Sequence, residues 1–371
     1  MKLFLIVLYS IFLSLFSIFS YTFIDPNLSY LKDLYSGFAF SYRLLTTIFY
    51  VTFVLISFIF YGIFVRLGVR KKIHAGEVFV LLSITFGILL FSYPAMLSYD
   101  IFNYIATSRV LFFYHENPYL VMPIEFIIDP LLSFTHAANK IALYGPIWVI
   151  LTGVPYFLGF GNFVVNLFAL KFLIGVFYLA TAFLVWKISK SIMSLILFAF
   201  NPLVIIETLV SSHNDIVMIF LALLSFFLLM RKKILLGGLF LILSIFIKYT
   251  TVLLIPVFLF MIWKTIKKKE IHFEKIYYYS CILMYIAFLL SPIREEIYPW
   301  YVVWFLPFIF LVIDNKFLIN VSIVFSFSLL LRYVPYIFTG TYAGNTPALK
   351  EIISFGFPVL YSLFYVFKKK V

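Results

Sequence analysis

The sequence predicts an all-α membrane protein with about 12 transmembrane helices, and three observations predict it. Apolar residues make up 64% of the 371, against about 45–50% in an ordinary globular chain. Charged residues fall to 12%. That is too few to cover a water-soluble surface of this size, so the bilayer is the solvent for most of the chain. Apolar segments near the length of about 20 residues that spans hydrocarbon recur from one end to the other. Aromatics reach 22%, with 49 Phe and 27 Tyr, so rings build the lipid-facing surface as much as Leu and Ile do.

In chain order the predicted spans are 3–20, 44–65, 76–94, 163–186, 191–210, 214–230, 233–248, 249–263, 277–292, 299–314, 317–333 and 351–367. The first has the length of a signal peptide. No small-residue cleavage site follows it and many apolar segments do, so it reads as a retained span. Segments 233–248 and 249–263 are short, and two readings stay open: two spans, or the halves of one broken element. Segment 144–158 is apolar but brief, bounded by Tyr144-Gly145-Pro146 and by Gly159 and Gly161. It reads as a re-entrant or surface helix.

Charge tests that threading, because basic clusters mark cytoplasmic loops. The clusters are Arg66, Arg70, Lys71 and Lys72; Lys187 and Lys190; Arg231, Lys232 and Lys233; Lys264, Lys267, Lys268 and Lys269; and Lys368, Lys369 and Lys370. With twelve spans and both termini cytoplasmic, every cluster lands inside. Lys2, Lys275 and Lys316 join them, so the inner side holds 19 basic and 4 acidic residues and the outer side 9 and 11. Counting 144–158 as a crossing would invert every later cluster. The net charge of +13 is therefore an orientation signal, membrane lipids are the bulk partner, and nucleic acid is not needed as one. A single cysteine, Cys281, excludes an intrachain disulfide framework. The chain shows neither linker nor clear repeat, and reads as one polytopic membrane domain over 1–371.

This threading gathers the long loop 95–143, the His213 turn, the Lys248 turn and the stretch Ser291–Trp300 at the outer face. Asp100 opens a predicted amphipathic interfacial helix in the long first outer loop. A carboxylate there suits helix capping, and it equally suits a general base that takes a proton from an acceptor hydroxyl. Asn117-Pro118-Tyr119 ends that helix, since the residue before proline is pushed out of the α region. Glu207 and the run His213-Asn214-Asp215 place polar groups at a membrane boundary, where they need solvent or partners; a helix cap and a site explain them equally well. Lys248 lies between two apolar segments and either snorkels outward or meets an anion such as a phosphate. Arg294 and His213 arrive at the same face, as cations a phosphate would want. Trp300 and Tyr301, after Pro299, suit an interfacial aromatic belt or a stacking surface for a sugar or an isoprenoid.

Taken together, these segments resemble the GT-C superfamily of integral-membrane glycosyltransferases, especially polyprenol-phosphate-dependent mannosyltransferases. The resemblance rests on Ser98-Tyr99-Asp100-Ile101-Phe102-Asn103-Tyr104, Ser108-Arg109, Asn117-Pro118-Tyr119 and Tyr144-Gly145-Pro146. It continues through Asn201-Pro202-Leu203, His213-Asn214-Asp215, Lys248-Tyr249 and Pro299-Trp300-Tyr301 with Trp304. It implies a hexose, with mannose the first expectation, moved from a polyprenyl-phosphate donor to a lipid or glycan acceptor, with the active site outside the cytoplasm. Asp100 takes the base position. Tyr104, Arg109, Asn117, Tyr119, Tyr144, His213, Asn214, Asp215, Lys248, Arg294, Trp300 and Tyr301 are the expected substrate-binding residues. Three departures stand out: Ser212, Ser108 and Glu116 occupy places where many relatives carry glycine. No cofactor is implied, and the outer acids are too scattered to require a metal. A transporter or flippase of a lipid-linked saccharide is the alternative reading.

Overall fold

The computed structural model describes residues 2–28, 37–294 and 296–370; the side chains of Lys2, Phe134, Arg294 and Lys370 lie outside that description. Among the described residues every regular element is a helix. Seven helices are long and apolar enough to cross a membrane: Leu3–Phe23, Arg43–Val69, Phe163–Ser189, Tyr249–Ile266, Phe273–Ile293, Lys316–Thr339 and Thr346–Lys369. The bent pair Ile192–Ala199 and Pro202–Val210 makes an eighth when counted as one span. Ala75–Leu90, Pro146–Leu158, Asp215–Met230 and Ile234–Ile245 are shorter apolar helices. The chain is an all-helical integral membrane protein.

Eleven of the predicted segments lie on these helices, and 299–314 behaves differently. Pro299 starts a six-residue 3-10 turn, Pro299–Trp304, and Pro307 lies in a separate short helix, Leu306–Phe310. Each proline lacks the N–H that a continuous helix would use. The segment is therefore a folded plug among other helices, with Val302, Phe305, Leu306 and Phe308 buried. The pair 233–248 and 249–263 forms two helices, Ile234–Ile245 and Tyr249–Ile266. They are separated at Lys248, whose backbone is extended.

Two breaks in helical structure shape the interior. The bent pair turns by 57° at Asn201-Pro202. Pro202 needs no N–H partner at a helix start, and the Asn201 side chain accepts from the N–H groups of Leu203 and Val204 at 3.0 and 3.4 Å. Its amide donates to Ser326 Oγ at 3.1 Å, so this bend carries its own hydrogen bonds, as apolar surroundings require. Elsewhere Lys171, buried in the span Phe163–Ser189, donates to Leu89 O at 3.0 Å and Ser92 Oγ at 2.8 Å. It caps the carbonyl end of Ala75–Leu90, where a cation is favoured.

The helix predicted at Asp100 spans Asp100–Phe112, but it is not an interfacial helix with a wet face. Residues 101–107 are all buried, as are Ser108 and Val110. It is enclosed by the loop's own 3-10 turns, by Pro146–Leu158 and by Phe163–Ser189. Pro146–Leu158 is held from the other side. Gly145 N–H donates to Ile247 O at 3.0 Å and Ile147 N–H to Phe246 O at 3.1 Å. A Cβ on Gly145 would sit 2.1 Å from Phe246 O, so only glycine permits this backbone docking. The Tyr144-Gly145-Pro146 turn thereby grips the strand-like turn that presents Lys248.

Candidate active site

The centre of the site is the turn after the bent pair. That pair ends in one π-helical turn, Ile206–Val210, a local widening often found at functional positions. Ser212 follows with φ +59°, in the left-handed region that costs a residue with a Cβ roughly 1–2 kcal/mol. This explains why glycine is the expected family residue there. His213 N–H then donates back to Glu207 O at 2.9 Å, which folds the His213 side chain over the π turn.

The imidazole joins two acids on opposite edges. Its Nε2 lies 3.3 Å from Glu207 Oε2 and its Nδ1 lies 3.5 Å from Asp100 Oδ2. Both are at ion-pair distance, yet neither ring nitrogen has a well-aimed hydrogen bond, so these are contacts between charges rather than tight hydrogen bonds. Tyr333 O–H donates to the other Glu207 oxygen at 3.0 Å. The result is a line, Asp100–His213–Glu207–Tyr333, buried at its centre and partly open at its Asp100 end, where the side chain is 24% exposed.

Asp100 occupies the first position of its helix, one residue past the N-cap Tyr99, so its carboxylate is not in the capping position. Burial pushes that carboxyl upward, but the His213 imidazole outweighs it, with smaller help from Lys248 and Asn103, and the group is held below the usual carboxylate range. For His213 burial disfavours charge, and the two carboxylates more than reverse this, raising it to about 9. Near neutral pH the pair is therefore carboxylate and imidazolium.

A second set of charges is fully hydrogen-bonded. Asp215, wholly buried, accepts from Lys248 Nζ at 2.9 and 2.8 Å on its two oxygens and from Trp304 Nε1 at 2.5 Å. The Lys248 side chain keeps 18% exposure and sits 5.6 Å from the Tyr301 ring centroid. Trp300 stacks on His213 at 3.8 Å between centroids, and Tyr301 stacks on Trp304 at 4.0 Å. The plug 299–310 thus supplies Trp300 to the first charge set and Tyr301 and Trp304 to the second.

Tyr104 links the two. Its hydroxyl accepts from Asn214 N–H at 3.3 Å, and its ring meets Tyr144 and Trp148 edge-on at 4.6 and 5.0 Å. The Asn214 amide and the Tyr144 hydroxyl are buried without a well-formed hydrogen bond, as are Trp148 Nε1 and Ser211 Oγ. Buried polar atoms are normally satisfied, so their concentration here sets this part of the interior apart from the apolar core.

The remaining expected residues fall outside this cluster. Asn117 Oδ1 accepts from Tyr119 N–H at 3.0 Å, and Tyr119 O–H donates to Tyr144 O at 2.7 Å; both shape the loop. Arg109 Nε donates to Asp129 at 2.9 Å, and Arg109 lies 4.6 Å from the Phe113 ring centroid. Ser108, another expected glycine position, is buried against Thr152, where only a small side chain fits. The Arg294 side chain and Glu295 lie outside the described residues. Glu207 as a partner of His213, and the roles of Trp304 and Tyr333, were not legible in the sequence. An acid at 207 inside an apolar run was the one available signal. Among the described residues no three His, Cys, Asp or Glu side chains are grouped to hold a metal ion.

No curated protein and no solved structure matches the chain. Residues 10–265 match the MptA_B family, described as alpha-(1->6)-mannopyranosyltransferase, N-terminal domain. The match takes in Asp100, the bent pair, the His213 turn and Lys248, and covers more than half of the chain. This membrane protein, with its charged line sunk among helices, belongs to the MptA_B family of mannosyltransferases.

Proposed function

We propose that the chain, acting as one membrane domain, moves a mannosyl group from a polyprenyl-phosphate donor to a lipid or glycan acceptor at the extracytoplasmic face. The family's description names the linkage, α-(1→6). The observation that carries the reading is Asp100: a partly exposed carboxylate, kept ionised, at the mouth of a buried polar cluster that also contains a lysine. The outer placement is supported by the charge distribution: under a twelve-span threading every basic cluster falls on the opposite side.

The reaction is a single inverting displacement. The acceptor oxygen attacks the anomeric carbon while the bond from that carbon to the phosphate oxygen breaks, and the electron pair leaves with the phosphate. Asp100 accepts the acceptor's proton. Lys248 gives two hydrogen bonds to Asp215; an ammonium has three donors, and the third serves a phosphate oxygen as charge develops on it. Arg294 is the further cation proposed to face the phosphate; His213, enclosed by Asp100, Glu207 and Trp300, supports Asp100 from behind instead. Tyr104, Tyr144 and Asn214 line the sugar's place, Trp300 and Tyr301 close it, and Arg109, Asn117 and Tyr119 shape the loop over it. Donor energy lies in the sugar–phosphate bond, so no nucleotide is needed.

The test is transfer from radiolabelled polyprenyl-phosphate mannose by membranes containing wild type or Asp100→Asn at equal abundance. Loss of a general base lowers turnover by about 10²–10⁴-fold. Wild-type turnover in the variant would overturn the assignment.

A further inference from the structure

Beside Asp100, three pairs of face-to-face rings lie outside the mechanism just described or at its margin. Tyr99 stacks on His136 at 3.7 Å between centroids, Tyr336 on Tyr342 at 4.2 Å, and Tyr298 on Trp300 at 4.6 Å. They come from distant parts of the chain and are neighbours. Tyr99 is within electrostatic reach of Tyr336 and Tyr342, and Tyr342 of Tyr298 and Glu296. Tyr342 is 62% exposed.

Next to these rings sits a charge cluster that the reaction does not use. Glu296, about half exposed, accepts on Oε2 from Arg332 Nη2 at 2.8 Å and from Lys350 Nζ. Arg332 also donates to Ser354 Oγ at 2.9 Å, and the Lys350 ammonium lies 5.1 Å from the Tyr342 ring centroid. Two buried cations thus meet one carboxylate at the edge of an exposed ring pair. Charges of this kind are costly near hydrocarbon unless they are paired, solvated or line a polar site. Ring faces carry negative potential and attract the C–H face of a pyranose, while a carboxylate and an ammonium accept from and donate to its hydroxyls. An isoprenoid chain would require a groove free of such charges.

We propose that this patch is an acceptor subsite for a hexose of a glycan chain, packed against the exposed side of Tyr342 and held through its hydroxyls by Glu296 and Lys350. The acceptor is then a carbohydrate that runs past Tyr99 to present its end hydroxyl to Asp100. The subsite rests on the glycosyl-transfer reading for its biological use, and its binding is measurable without transfer.

The experiment is equilibrium binding of α-(1→6)-linked mannotetraose to the purified full-length protein in detergent, by calorimetry, with no donor present. Wild type binds; Tyr342→Ala weakens binding about tenfold, and Tyr342→Phe, which keeps the ring, stays within about twofold. Glu296→Gln weakens binding about threefold or more. Tyr342 is exposed, so its truncation leaves the fold intact, checked by an unchanged unfolding temperature. No binding by wild type, or unchanged binding by Tyr342→Ala, overturns the subsite even where mannosyl transfer is observed. Full turnover by Asp100→Asn overturns the base and leaves the subsite standing.

Discussion

Two charge sets lie side by side in this protein and are built on opposite principles. In the Asp215 set every polar atom of the acid is used: two bonds to Lys248 and one to Trp304. In the Asp100 set His213 touches two acids at 3.3 and 3.5 Å without a well-aimed bond to either. A satisfied buried network is rigid, whereas a loosely held line of titratable groups is free to exchange a proton and to accept a new partner. The first suits a fixed anchor that presents a cation to a phosphate. The second suits a base with a supporting imidazolium behind it.

The largest expected effect attacks the loose set: Asp100→Asn loses about 10²–10⁴-fold in turnover while the protein still accumulates in membranes. The tight set should respond the other way round, through stability first. Asp215→Ala strands the Lys248 ammonium and the Trp304 N–H, and breaking a buried pair in this manner costs about 3–5 kcal/mol. Thermal unfolding in detergent should drop sharply for that variant. Recovery in the double variant Asp215→Ala with Lys248→Met would confirm that the stranded charge, not lost packing, causes it.

The pH response separates the sets next. His213 is raised to about 9, so its charge contacts stabilise fully below its unfolded pKa of about 6.5 and are lost as pH rises through about 9. Asp100 is lowered, so its contribution is present above an unfolded value of about 3.9 and is lost as pH falls through its folded value. Between these limits the line is intact. Unfolding temperature measured from pH 7 to 10 should therefore decline for wild type near pH 9 and decline less for His213→Gln. Parallel curves for the two proteins would remove the imidazolium from the picture.

Smaller effects belong to the backbone. Ser212→Gly relieves a left-handed residue and should be neutral or stabilise by up to about 1 kcal/mol, read as a slightly higher unfolding temperature with activity retained. A loss of activity there would mean that the hydroxyl, not the turn, matters.

Asp100, His213, Lys248, Trp300 and Tyr301 were legible in the sequence because each interrupts an apolar pattern at a place where an ionisable or amphipathic group needs a reason. Their groupings were less so. Lys248 reads as either snorkelling outward or meeting an anion, and it meets the anion of Asp215. Arg109, expected among the substrate-binding residues, is engaged by Asp129. Glu296 meets Arg332 and Lys350, a pairing that nothing local announces. The helix at 100–112 was predicted at the right place, but its enclosure by other elements was not, since an apolar face covered by lipid and one covered by protein have the same composition.

By itself the sequence determined that this is a helical membrane protein, where most of its helices lie, and which positions break the apolar rule. Hydropathy and proline are local properties, so a window of residues suffices to read them. Only the tertiary structure decided that Asp100 faces His213, that Glu207 stands behind it, and that Trp304 reaches Asp215 across 89 residues of chain. Such pairings depend on how helices far apart in sequence come together, and no local pattern encodes which carboxylate a given lysine or histidine will meet.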